Sequence, residues 1–270
     1  MLFQRSGARL LLMWTRAHQV VVSARFCGFP GIAHGGYLGG VVAGDVGAPA
    51  VNVELRRPVR TEVPLTLEQT AGHVELRDGE VLVAEGTAAE VNVEVPEPVT
   101  LHEAEAASRR NPGLDHHLYP GCFGCGPAHP GGLRIFAGPV PGRRLVAAPW
   151  VPGSSEADEA GTVPLEIVWA ALDCPQLWAL ILHAPSMASE KVVTAAISVN
   201  VAGPVVAGEP YVVTAWPEAR NGRSRLAGAA LMGPDGEVFA TSRITAVSAK
   251  WGVPVGLGRW RPTPLPSDRA

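Results

Sequence analysis

Apolar and polar positions alternate along residues 51–65 and again along 198–211. That period of two is what a half-buried strand requires. Both segments reach a Pro-Val pair and then a second proline six residues after the first, Pro58 and Pro64 in one, Pro204 and Pro210 in the other. Each is followed by Asp-Gly-Glu-Val, at 78–81 and 235–238. Asp-Gly favours a tight hairpin turn, and apolar β-prone runs follow at 81–95 and 238–247. A helical period precedes each meander. Residues 37–46 are small and apolar; residues 165–183 place Ile167, Val168, Ala171, Leu172, Trp178 and Leu182 on a stripe suited to burial. A strand is predicted ahead of each helix, at 19–26 in the first copy and at 133–136 with 144–148 in the second. The repeated order of elements predicts an α+β fold written twice, each copy a central helix wrapped by a curled antiparallel sheet.

Pro96 and Pro98 open the segment between the copies. Thr100 with Glu103 forms a capping-box pattern that predicts a short helix over 101–109, and Asn111-Pro112-Gly113 ends it. The expected division is residues 1–110 as an N-terminal module with a loose leading extension, 111–251 as a C-terminal module, and 252–270 as an irregular tail.

Composition narrows the function. Charged residues are 17% of the 270 and the net charge is −3, which argues against a nucleic-acid partner. No stretch has the length of a membrane span, and the four cysteines are too few for a disulfide framework. A cytoplasmic protein is expected. The sequence has no G-x-S-x-G elbow, P-loop, strand-linked G-x-G-x-x-G or H-E-x-x-H. Cys122-x-x-Cys125, with His116, His117 and His129 nearby, offers a start for zinc, but a second Cys-x-x-Cys is absent and structural zinc takes four ligands. Neither metal nor cofactor is expected.

The segment FPGIAHGGYLGGVVAG at 29–44, followed by VELRRPVRTEVPLTLE and DGEVLVAEGTAAEV, resembles the PaaI-like branch of the hotdog thioesterase superfamily. In the second half, CFGCGPAHPGGLRIF at 122–136 is similar to that branch's lead-in strand, and LEIVWAALDCP at 165–175 stands at its central-helix position without His-Gly-Gly. The resemblance implies a double hotdog acting on an acyl-CoA or acyl-carrier thioester, as a monomeric tandem or a dimer of tandems. In that branch a carboxylate sits nine residues after the motif histidine. Here that position is Ala43, with Asp45 two residues late; in the second half Asp173 is at the matching distance from Pro164. Each half keeps what the other lacks.

Thioester hydrolysis needs a donor for the oxyanion and a carboxylate to activate water or attack. Free N–H groups at a helix N-terminus supply the first. The expected composite site therefore sets Gly35 and Gly36, behind His34, against Asp173 from the other half. Arg57, Glu166 and Trp169 are candidates for substrate binding. Asp173 before Cys174-Pro175 also reads as an N-cap restarting a kinked helix. Gly39, Gly40 and Ala43 either leave room for an acyl chain or permit close helix packing. A non-catalytic acyl-ligand binding protein, and a hotdog dehydratase using His34 with Asp173, stay open beside the thioesterase.

Overall fold

The computed structural model describes residues 16–183 and 192–248. The expected leading extension up to residue 15 and the tail at 252–270 lie outside the described residues. In chain order the elements are β1 (Arg16–Val21), β2 (Cys27–Phe29), β3 (Ile32–Ala33), α1 (Gly35–Val46), β4 (Ala50–Leu55), β5 (Pro64–Thr70), β6 (His73–Asp78), β7 (Val81–Ala88), α2 (Leu101–Ser108), β8 (Gly138–Pro139), β9 (Val146–Trp150), α3 (Leu165–His183), β10 (Val192–Val201), β11 (Tyr211–Asn221), β12 (Ser224–Met232) and β13 (Val238–Ser248).

Eleven strands form one antiparallel sheet in the order β1-β5-β6-β7-β4-β10-β13-β12-β11-β9-β8. Strands from the first half of the chain fill one side of it and strands from the second half the other. They meet at β4 and β10, paired with Val53 opposite Ile197. Both partners are alternating runs, so each presents one apolar face inward: Val51, Val53, Ile197 and Val199 are all buried. The Ser198 hydroxyl donates to the Asn52 side-chain oxygen across this seam at 2.8 Å.

The paired Asp-Gly turns form as expected. Gly79 (φ 58°) and Gly236 (φ 84°) take up the left-handed conformation those turns require. Three predicted strands are changed. The run 19–26 ends as β1 at Val21 and turns into a short 3-10 helix at Ala24–Phe26, because the Ser23 hydroxyl accepts from the Arg25 amide. Residues 133–136 form no strand; the Leu133 and Ile135 amides donate instead to the Phe123 and Gly124 carbonyls. The run 81–95 stops at Ala88, opposite Val51 near the start of β4.

Each half of the sheet carries a helix on its apolar face, α1 over β4 to β7 and α3 over β9 to β13. The two helices pack on each other and run antiparallel: a side chain added at Gly36 would meet Trp169 and Asp173, and one at Gly40 would meet Glu166. α3 is long and apolar enough to cross a membrane by composition, yet 72% of that window is buried inside the protein. α2 has the predicted capping box, with Thr100 and Glu103 bonded reciprocally. It packs on β8 and β9 rather than on the first half, Ala104 and Ala107 sharing a cluster with Val140, Leu145 and Ala147. Gly138 makes this possible, since a Cβ there would lie 1.9 Å from the Ala107 carbonyl oxygen. α2 lies before the boundary expected at residue 110 and packs on strands that follow it.

Candidate active site

His34 is the N-cap of α1, its Nδ1 accepting from the Tyr37 amide at 3.4 Å. An α-helix leaves its first four N–H groups without intrahelical partners. In α1, His34 donates to the Phe26 carbonyl at 2.8 Å, Tyr37 uses the His34 ring, and Gly36 donates to Asp173 Oδ2 at 2.7 Å. The Gly35 amide has no hydrogen-bond partner among the described residues and Gly35 is partly exposed. Asp173 reaches this helix end from the middle of α3. Its second oxygen, Oδ1, accepts from the Thr194 hydroxyl on β10 at 2.6 Å. The carboxylate is thus fixed at both oxygens, at 3% residue exposure.

The sequence-derived pairing of Gly35 and Gly36 with Asp173 is therefore present in space, across the α1–α3 contact. α3 continues unbroken through Asp173, Cys174 and Pro175, so Asp173 is not the N-cap of a restarted helix. The Pro175 ring costs the helix one amide donor, and Asp173 spends its carboxylate on the neighbouring helix instead.

The other candidates lie as follows. Trp169 is 1% exposed and packs edge-on into the space above Gly39 and Ile197, a core position. Glu166 is half-buried; its backbone lies where a Gly40 side chain would be, 2.3 Å from the added Cβ. Arg57 is exposed, two residues past Leu55, whose side chain borders Gly35. Asp45 faces away and pairs with His18 Nδ1 at 3.5 Å. Of the two meanings of the small residues on α1, close packing is the one realised: Gly36, Gly39 and Gly40 all abut α3 with no space for a side chain. Thr194 escaped the sequence reading, because a lone threonine in a β-prone run carries no signal until the fold sets it beside a carboxylate.

All four cysteines gather beside this site. Cys174 Sγ is 3.1 Å from His34 Nε2 and 3.7 Å from Cys122 Sγ, and Cys125 Sγ is 3.8 Å from Cys122 Sγ. Cys27 lies at the edge, its thiol donating to the Gly121 carbonyl at 3.4 Å. Hydrogen bonds from Cys125 and Cys174 hold the Cys122 thiol well below its usual range against the opposing cost of burial. The bond to Cys122, with burial, pushes Cys125 and Cys174 well up. Burial draws the His34 ring down, but Cys122 and Asp173 outweigh it and hold the ring above its ordinary value.

No family model matches the sequence. No curated protein matches it either. Solved structures do match by shape. A protein from Thermobifida fusca assigned as a thioesterase II aligns over 87% of this chain and 94% of its own, at TM-score 0.58 and 14% identity. The TesB protein of Mycobacterium avium subspecies paratuberculosis aligns over 87% and 93%, at TM-score 0.55 and 14% identity. The acyl-CoA thioesterase II TesB2 of Mycobacterium marinum aligns over 86% and 93%, at TM-score 0.54 and 12% identity. These alignments run over nearly the full length of each partner, both halves of the long sheet included, and on that ground the chain shares the hotdog fold of TesB-like thioesterases.

Proposed function

We propose that the chain is an acyl-thioester hydrolase, built of two hotdog modules with one composite site between them. The observation that carries this reading is Asp173, held between the Gly36 amide and the Thr194 hydroxyl at the open end of α1. The modules divide after β7, within residues 89–100, so that α2 goes with the second; the three thioesterases of like fold support the reaction class.

The chemistry follows from what each group can still do. A carboxylate offers about four lone-pair sites; two are taken by Gly36 and Thr194, which leaves Asp173 able to accept from a water. That water attacks the thioester carbonyl, and Asp173 takes its proton as general base. The partly exposed Gly35 amide, at the positive end of α1, is the donor for the oxyanion. The Gly36 amide acts on Asp173 rather than on substrate. The mirror site is without function in this scheme, since Ala43 stands where its carboxylate belongs. A CoA or carrier-protein thioester approaches from the Gly35 side, past the exposed Arg57. The dehydratase scheme fits less well, because His34 is 2% exposed and turns Nε2 onto Cys174.

One observation favours a second reading. Both Asp173 oxygens already have partners and the side chain is only 5% exposed, which suits a fold that binds acyl ligands without turning them over. A thiol-release assay over short, medium, long and aryl acyl-CoAs separates the two. The hydrolase releases thiol from at least one substrate, and the isosteric Asp173→Asn lowers that rate roughly 100- to 10,000-fold, the range of general-base contributions. Release that persists unchanged in Asp173→Asn removes Asp173 from the chemistry. Tight acyl-CoA binding with no release by the wild type establishes the binding protein instead.

A further inference from the structure

We infer that His34, Cys122, Cys125 and Cys174 form a closed zinc site that locks the N-terminus of α1 to α3. The sequence offers only half of it, one Cys-x-x-Cys; the fold brings the remaining ligands from positions 88 residues before and 52 after Cys122.

Three of the four donor atoms already lie close enough together to share one ion. Zinc takes thiolates at about 2.3 Å in a tetrahedron, whose edges are then about 3.8 Å. Two sulfur–sulfur edges are 3.7 Å for Cys122–Cys174 and 3.8 Å for Cys122–Cys125. The His34 Nε2, Cys122 and Cys174 donor atoms all lie within 4.8 Å of one another; Cys125 stands outside that trio, attached through its edge to Cys122, and its sulfur closes in on binding. The His34–Cys174 edge, 3.1 Å, is shorter than the about 3.5 Å that zinc–sulfur and zinc–nitrogen bonds would set. The ring moves out by a few tenths of an ångström on binding.

The surroundings are built for the same purpose. All four residues are buried, at 2%, 6%, 5% and 6% exposure in chain order. Gly124, inside the Cys-x-x-Cys, cannot be replaced by a larger residue: an added Cβ would sit 2.8 Å from Cys174 Sγ and 2.9 Å from His34 Nε2. Gly126, directly after the second cysteine, folds back so that its amide donates to the Cys122 carbonyl at 2.8 Å. The supporting shell is also in place. His117 Nδ1 accepts from the Tyr119 amide at 2.9 Å, so its Nε2 carries the proton and donates to Cys125 Sγ at 3.2 Å. That N–H would support a metal-bound thiolate at Cys125. Ligation through Nε2 moves the His34 ring proton to Nδ1, which then gives up its long 3.4 Å acceptance from the Tyr37 amide and turns to Asp173 Oδ2, 3.7 Å away, the carboxylate–histidine–metal arrangement of many zinc sites.

Binding displaces the thiol protons of Cys122, Cys125 and Cys174 to solvent and leaves three thiolates and a neutral imidazole around Zn²⁺. Four protein ligands leave no open position, so the ion is structural. This inference does not depend on the hydrolase reading; the acyl chemistry and the metal can fail separately.

The test uses the full chain, purified without chelator in reductant. Elemental analysis is expected to find one zinc per chain, kept by Cys27→Ser and lost from Cys122→Ser and Cys174→Ser. Because those two variants can fail to fold, the wild type is also stripped of metal and titrated with Co²⁺. Saturation at one equivalent, with thiolate-to-cobalt charge-transfer absorption and the intense visible bands of tetrahedral cobalt, supports the site. Folded protein that carries no metal, gives no such spectrum and shows its buried thiols free or joined in a disulfide overturns it.

Discussion

Asp173 contributes a side chain that does two things in this protein. It satisfies an otherwise unpartnered amide of α1, and it holds an oriented acceptor beside that helix's open end. Thr194 fixes the second oxygen at 2.6 Å and in the proposed reaction acts through that carboxylate. It is a positioning residue, so its loss and its restoration are both informative. Thr194→Val keeps the shape and removes the hydroxyl. Removing one hydrogen bond to a charged group costs about 1.5–3 kcal/mol, so kcat is expected to fall by roughly 10- to 100-fold with KM little changed. Thr194→Ser restores the hydroxyl and most of the rate. A serine variant as slow as the valine one would mean that packing at β10, not the hydrogen bond, is what matters.

At the scale of elements, the contact between α1 and α3 decides the geometry of the site, and α1 glycines set how close the helices come. A methyl group added at Gly36 would lie 2.6 Å from the Trp169 carbonyl oxygen and 2.7 Å from Asp173 Cβ. Neither atom is the free end of a flexible chain. Gly44, on the exposed side of the same helix, has nothing within 4 Å of an added Cβ. The two substitutions should therefore differ in sign. Gly36→Ala forces the helices apart and destabilises by about 1–3 kcal/mol. Gly44→Ala gains helix propensity and stabilises by roughly 0.5–1 kcal/mol. Urea denaturation of both variants measures this directly; equal effects of the same sign would show that the helices are not in tight contact.

For the whole molecule, the seam between β4 and β10 makes one sheet of two halves, and the main core runs through it. Val42, Val53 and Leu67 from the first half belong to the same buried cluster as Trp169, Ile197 and Val213 from the second. Neither half can expose its face of that cluster cheaply, so the chain should unfold as one cooperative unit. Far-UV circular dichroism and tryptophan fluorescence are expected to report coincident denaturant transitions. Two separated transitions would show that the halves are independent despite the shared sheet. Among the described residues, the α1 N-terminal end of the α1–α3 contact sets a partly exposed glycine amide beside a carboxylate, which is where the proposed scheme puts its one site.

The periodic signals were legible without a structure. Residues 37–46 and 165–183 read as helices and are helical within α1 and α3; the paired Asp-Gly turns and the capping box at Thr100 read as they form. These are local: a helix stripe, a strand alternation and a turn residue act within a few positions of the chain, so the order of residues alone contains them. The facing of Asp173 and the α1 N-terminus was also reachable, through the complementary losses in two copies of one pattern. What the sequence could not hold is which distant groups meet. Residues 133–136 have strand composition but bond to the Cys-x-x-Cys loop; α2 covers the half that follows it; Thr194 and the joining of His34 and Cys174 to Cys122 arise only when strands 4 and 10 pair and bring the helices together. Those contacts depend on side chains placed by elements up to 140 residues apart, and no period in the chain records such a distance.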